Sequence, residues 1–259
     1  MEKDIFSKIE TANKVDFGEI LSKSFELFKK VWQEGLIHGL ITMALMIPVI
    51  IIAYVPMVAI LMNTPNYQYD YYNDYYNYNE PLMDYPVLWI VGFMLLFFAL
   101  TFVAQTVVYG VIGHFFRVLK KADLGTDEDT GGYFVYLKGK HLKKIFVLSL
   151  ATFGISLLAV LLCYLPIFYV LVPLKLFITI FVYNEDLSVS DIIKASFKLG
   201  HKFWLILFGL IFIAGTVAQI GLILCVVGYF ATAYFVHVPI YYFYKDAIGF
   251  DQEEAKTTV

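Results

Sequence analysis

The sequence predicts an all-α, polytopic membrane protein with six transmembrane helices, and three observations carry that reading. Of 259 residues, 60% are hydrophobic and only 16% are charged, against about 25% charged in an ordinary soluble domain. A water-soluble exterior of this size needs more charge than that. The apolar residues gather in runs of bilayer length, and the basic residues gather between alternate runs.

A hydrocarbon core of about 30 Å takes about 20 residues of helix. Residues 36–62 and 87–116 contain no Asp, Glu, Lys or Arg, and each is predicted as one span. The run 145–183 holds one charge, Lys175, and accommodates two spans, 145–164 and 166–183, folded at Tyr164-Leu165-Pro166. Residues 203–244 accommodate two more, 203–224 and 226–244, with a turn near Cys225 to Gly228. The rival count is four, with the long runs tilted or re-entrant. The chain reads as a single membrane domain, with an interfacial helix at 1–35, an outer loop at 63–86 and a tail at 245–259.

Lysine placement sets the orientation. Six lysines precede the first span, seven Lys/Arg lie within 117–144, three lysines lie within 184–202 and two follow Tyr244. The 63–86 loop and both hairpin turns have none. The positive-inside rule then puts both termini and every basic segment in the cytoplasm. The first 35 residues lack a short apolar run ending in a small-residue cleavage site, so the first span is expected to stay as an anchor.

An internal repeat is visible. Residues 21–32 read LSKSFELFKKVW and residues 193–204 read IKASFKLGHKFW, sharing Ser24/Ser196, Phe25/Phe197, Leu27/Leu199, Lys30/Lys202 and Trp32/Trp204. Both follow a helix-start pattern, Asp16 three before Glu19 and Ser188 three before Asp191. On a helical wheel each copy divides into an aromatic apolar face and a lysine-rich face. That is the pattern of a helix lying in the membrane interface, anchored by Phe25, Lys30, Trp32, Phe197, Lys202 and Trp204. A helix packed on the ends of other helices is the alternative. A weaker third copy sits at 130–146, and the turns LCYLP (162–166) and LCVVG (224–228) echo one another. The simplest architecture is a quasi-repeat of interfacial helix plus hairpin.

The stretch VYNEDLSVSDIIKASFKLGHKFW, followed by apolar runs and a closing YYFYKDAIG, resembles a large group of uncharacterised bacterial integral membrane proteins. The group includes YciC-like proteins and the membrane domain fused to some glycerophosphodiester phosphodiesterases. The matching positions are Ser196, Phe197, Leu199, Phe203, Trp204, Tyr244 and Asp246. The resemblance implies a scaffold or envelope role in the bacterial cytoplasmic (inner) membrane and brings no known active site. No phosphodiesterase domain is present, so that activity is not implied.

Several functions are disfavoured at once. Arg117 is the single arginine among 19 basic residues and the net charge is −3, a poor match to nucleic-acid binding. Cys163 and Cys225 form no disulfide framework and no zinc spacing. Lys175 stands out, because a lysine at bilayer centre costs on the order of 3 kcal/mol, and no Asp or Glu lies in any predicted span to neutralise it. It is either a positive centre for an anionic headgroup or substrate, or a lysine hydrated in a crevice. His38, His114 and His237, with Gln105 and Gln219, lie in or beside spans. They could converge on a ligand, but their spacing requires no metal site, and interhelical hydrogen bonding is the ordinary role. The outer loop carries eight tyrosines, five asparagines and four acids and reads as solvated low-complexity sequence.

The expected function is that of a non-enzymatic envelope protein, a scaffold, assembly factor or lipid-interacting module without a cofactor. A small transporter or channel for an anionic or lipid substrate using Lys175 is the alternative. Its expected partners are the lipid bilayer and either other envelope proteins or further copies of itself.

Overall fold

The computed structural model describes residues 5–63, 87–162, 164–224 and 226–250. The predicted outer loop beyond Asn63, both cysteines and the tail after Phe250 lie outside the described residues. Regular structure in the described residues is entirely helical: α1 (Ile5–Glu10), α2 (Phe17–Asn63), α3 (Val87–Leu124), α4 (Gly139–Leu161), α5 (Leu165–Tyr183), α6 (Val189–Lys202), α7 (Trp204–Leu224), α8 (Val226–Thr232) and α9 (His237–Ala247). Short 3-10 turns occupy Val135–Leu137 and Ala233–Val236.

Both helix starts follow the side-chain chemistry read from the sequence. The Glu19 amide donates to Asp16 Oδ1 at 2.8 Å, and the Asp191 amide donates to Ser188 Oγ at 3.1 Å. Each bond satisfies an amide that the helix itself leaves unpaired. Ser188→Ala is expected to cost about 1 kcal/mol, read as a lower thermal unfolding midpoint of the full chain. An unchanged midpoint would show that the cap contributes nothing to the folded protein.

The two repeat copies keep the same internal hydrogen bond. Ser24 Oγ donates to the Ile20 carbonyl at 2.7 Å, and Ser196 Oγ donates to the Ile192 carbonyl at 2.8 Å. Beyond the repeat they part. The first copy runs without a break into the apolar run, so α2 is one 47-residue helix rather than a separate interfacial helix followed by a span. Only Gly35 weakens that junction, and one glycine costs a helix about 1 kcal/mol. The second copy stops at Phe203, where the backbone leaves helical geometry.

The apolar stripes face protein. Over residues 17–32 of α2 the buried positions are Ile20, Ser24, Leu27 and Val31, while the expected anchors Phe25 and Trp32 are 39% and 44% exposed. α6 folds back antiparallel along α5. Phe197 lies against Phe177, with ring centroids 6.3 Å apart, and the Trp204 indole donates to the Tyr169 carbonyl at 3.2 Å. Gly200 permits this approach, since a Cβ there would stand 3.2 Å from Pro173 Cα. α6 thus packs its apolar face on α5. Lys202 donates to the Ile9 and Glu10 carbonyls, at 2.8 Å each, and so closes the C-terminus of α1. Lys198 pairs with Glu10 at 2.7 Å and holds that carboxyl below its ordinary range.

Five helices in the described residues, not six, are long and apolar enough to cross a membrane: Phe17–Pro56 of α2, α3, α4, α5 and Trp204–Gly221 of α7. The predicted span 226–244 is divided into α8, a 3-10 turn and α9. Pro239 has no N–H to give to the turn before it, and α7 and α8 touch backbone to backbone at Gly221 and Gly228. The predicted third copy is a loop and a 3-10 turn leading into α4, so the helix-plus-hairpin unit does not recur there.

The core sits around α5 and α9. Val172, Leu176, Phe177, Ile180 and Phe181 of α5 are fully buried, as are Val238, Ile240, Tyr241 and Phe243 of α9. α5 is apolar on all sides apart from Lys175, and a helix without a polar face belongs inside. Charged residues tie the surrounding helices at one end of the bundle. Lys23 of α2 meets Asp246 at 3.2 Å, and Asp123 of α3 pairs with Lys245 while accepting from Tyr241 and Tyr242 at 2.7 Å. The single arginine, Arg117, reaches both Tyr136 OH (2.7 Å) and Glu185 (2.6 Å). Burial raises the Tyr136 phenol, so it stays a neutral donor to Glu185 at 3.1 Å.

Candidate ligand cavity

α3, α4, α5 and α9 line a half-open cavity of about 240 Å³. α5 supplies most of its wall, with Ile167, Leu171, Leu174 and Ile178 among the apolar residues facing it. These fall at i, i+4, i+7 and i+11, one stripe of a helix. Lys175 joins that stripe. It follows Leu174 by one residue, and the i, i+4 relation to Leu171 sets it on the same side.

Lys175 makes no hydrogen bond or ion pair with any described residue. The nearest polar groups come from other helices. Tyr109 of α3 donates to Thr152 of α4 at 2.9 Å. Thr152 in turn donates to the Leu148 carbonyl at 3.0 Å, and Gln105, one turn before Tyr109, also hydrogen-bonds the phenol. Ser156 lies one turn beyond Thr152 on the cavity wall. His237, the first residue of α9, faces the cavity and interacts electrostatically with Lys175. Two hydroxyls that neighbour cavity positions in sequence, Ser149 Oγ three residues before Thr152 and Thr179 Oγ1 one residue after Ile178, are buried without a partner in the described structure.

The sequence-derived site residues therefore separate into three groups. Lys175, His237 and, through Tyr109, Gln105 belong to the cavity. His38 and His114 pair with one another instead, Nε2 to Nδ1 at 2.8 Å. Gln219 is exposed on α7 and joins neither. The described residues contain no group of three His, Cys, Asp or Glu placed to hold a metal ion. Tyr109, Thr152 and Ser156 were not singled out from sequence. The one available signal was the i, i+4 pairing of Gln105 and Tyr109, two polar side chains on one face of an otherwise apolar run.

No protein-family model matches the chain, and neither a curated protein nor a solved structure matches it. The cavity's chemistry thus has to be read from its own residues. It offers one cation, three hydroxyls and an imidazole within apolar walls. An isolated charge in such surroundings is costly unless something pairs with it, and no carboxylate of this chain lies in the apolar runs that form the walls. An anionic group brought from outside, with an apolar remainder, would satisfy both the lysine and the walls.

Proposed function

We propose that this multi-pass helical membrane protein is a non-enzymatic lipid-interacting module that binds an anionic amphiphile, with Lys175 as the counter-charge. The observation that carries the reading is a lysine with no hydrogen bond or ion pair among the described residues, on the wall of a 240 Å³ cavity otherwise lined mainly by aliphatic side chains. The cavity has room for a headgroup and the first part of a chain. Tyr109, Thr152, Ser156 and His237 are placed to hydrogen-bond the same headgroup. The family resemblance to bacterial envelope proteins belongs to this proposal, as does a place in the cytoplasmic membrane beside envelope partners or further copies of the chain. Transport of the same amphiphile is the second reading, favoured by Pro173 on the cavity helix two residues before Lys175. A proline there removes a backbone bond and leaves α5 easier to bend.

Native mass spectrometry of the protein extracted from membranes tests binding directly. A retained mass corresponding to a single acidic lipid or fatty acid is expected. Protein free of lipid adducts under conditions that preserve the fold would overturn the reading. The proposed orientation has its own test. Single cysteines at Tyr75 and Lys120, in a chain with Cys163 and Cys225 replaced by serine, are expected to label from opposite sides of the membrane. Labelling from one side would reverse it.

A further inference from the structure

We infer that His38 and His114 hold one shared proton as a histidine–histidinium pair, a proton-binding site separate from the cavity. The inference comes from counting hydrogens. His38 Nδ1 lies 2.6 Å from the Glu34 carbonyl, and His114 Nε2 lies 3.1 Å from the Gly131 carbonyl. A carbonyl oxygen only accepts, so each of these nitrogens carries a hydrogen. The other two nitrogens, His38 Nε2 and His114 Nδ1, face each other at 2.8 Å. Two neutral imidazoles own one N–H apiece, and both are already used. Bare nitrogens would oppose lone pair to lone pair at hydrogen-bonding distance. A third hydrogen between them completes the chain carbonyl–imidazole–imidazole–carbonyl and gives the pair one positive charge.

The surroundings are mostly aromatic and bring one carboxylate to the pair. The rings are nearly parallel, with centroids 5.1 Å apart. Phe115, Tyr133 and Tyr234 close around His38 at 4.9 to 5.4 Å. Glu34 of α2 supplies the counter-charge, its Oε2 lying 3.9 Å from His38 Nδ1 and accepting from Tyr133 OH at 3.5 Å. On the other elements, Arg117 of α3 acts on His114 but is held by Glu185. His237 of α9 acts on His38, Tyr234 of the 3-10 turn is hydrogen-bonded to Thr42, and Asp129 of the loop accepts from the Gly131 amide. A second proton would set two cations side by side with one carboxylate between them.

The consequence is a latch on the segment between α3 and α4. Gly131 and Tyr133 belong to that segment, and the pair holds it against α2 and α3. When the shared proton leaves, one of the three hydrogen bonds must break, and the Gly131 bond lies nearest the exposed surface. The docked segment binds one proton more than the released one, so by linkage docking weakens as pH rises. Uptake of a second proton at low pH separates the rings, so docking also weakens in acid.

The test uses the full chain in lipid nanodiscs with ¹⁵N-labelled histidine. Between about pH 5 and 8, the range in which histidines titrate, the pair is expected to show three protonated nitrogens of four over part of the range. The third N–H signal is expected to vanish in both His38→Gln and His114→Gln and to persist in His237→Gln. Two protonated and two bare nitrogens at every pH, or two rings titrating independently, would overturn the inference. Hydrogen exchange of residues 125–134 provides a second measure that needs no variant. After correction for intrinsic rates, protection is expected to pass through a maximum and fall about fivefold to tenfold on the alkaline side, the effect of losing one hydrogen bond. Protection independent of pH would equally sink it.

Discussion

Lys175→Met is expected to weaken retention of an acidic amphiphile strongly and to leave the fold intact or more stable. Methionine matches lysine in length and flexibility and fills irregular space, so the stripe on α5 remains continuous. What is lost is the charge, and with it a charge-assisted contact of about 1.5–3 kcal/mol, a weakening of roughly tenfold to a hundredfold. Removing an unpaired lysine from apolar surroundings also relieves a penalty on the order of 3 kcal/mol, so ligand-free protein should melt at a higher temperature than wild type. Lys175→Arg keeps the charge and should keep much of the binding. Adduct masses and melting curves with and without added oleate or lysophosphatidic acid give the readout. Equal retention by the methionine variant and wild type would remove Lys175 from the site.

Gly39→Ile is the second large effect, and it tests packing. A Cβ at Gly39 would stand 2.5 Å from the Phe230 carbonyl oxygen. Backbone lies on both sides of that contact, so neither side can rotate away. The same helix pair is held a turn farther on by the Thr42–Tyr234 hydrogen bond at 2.6 Å, which α2 and the 3-10 turn would lose on separating. Overpacking of this kind costs about 1–3 kcal/mol, and the loss of the bond adds about 1 kcal/mol. Gly154 is the control. A Cβ there meets nothing within 4 Å, so Gly154→Ala should be neutral or stabilise α4 by up to about 1 kcal/mol through helix propensity. Similar melting points for Gly39→Ile and wild type would show that α2 and α8 are not in close contact.

Local chemistry was readable wherever a residue's role depends on its near neighbours. The caps at Asp16 and Ser188 need only an oxygen and an amide three residues on. The Ser24/Ser196 equivalence needs only an i−4 carbonyl. The apolar runs follow from composition alone, and so does the isolation of Lys175, because no acid occurs in those runs. The stripes of α2 and α6 were also readable as stripes. Which helices they pack against was not, because the hydrophobic effect does not distinguish one apolar surface from another. Likewise, the 19 residues of 226–244 hold no Asp, Glu, Lys or Arg and have the composition of a span, yet a 3-10 turn before Pro239 divides them.

The residues of the candidate sites are distant in sequence and ordinary in kind. Tyr109, Thr152 and Ser156 are common residues in apolar helices, and only the meeting of α3, α4 and α5 gives them a shared cavity with Lys175. His38 and His114 are 76 residues apart, and no periodicity links them. The amino-acid order alone determined that the chain is helical, membrane-spanning and repeated, because propensity, period and hydropathy act over one or two turns. Tertiary structure decided which polar groups meet, because hydrogen bonds and charge pairing depend on positions a few ångströms apart that many turns of intervening helix bring together.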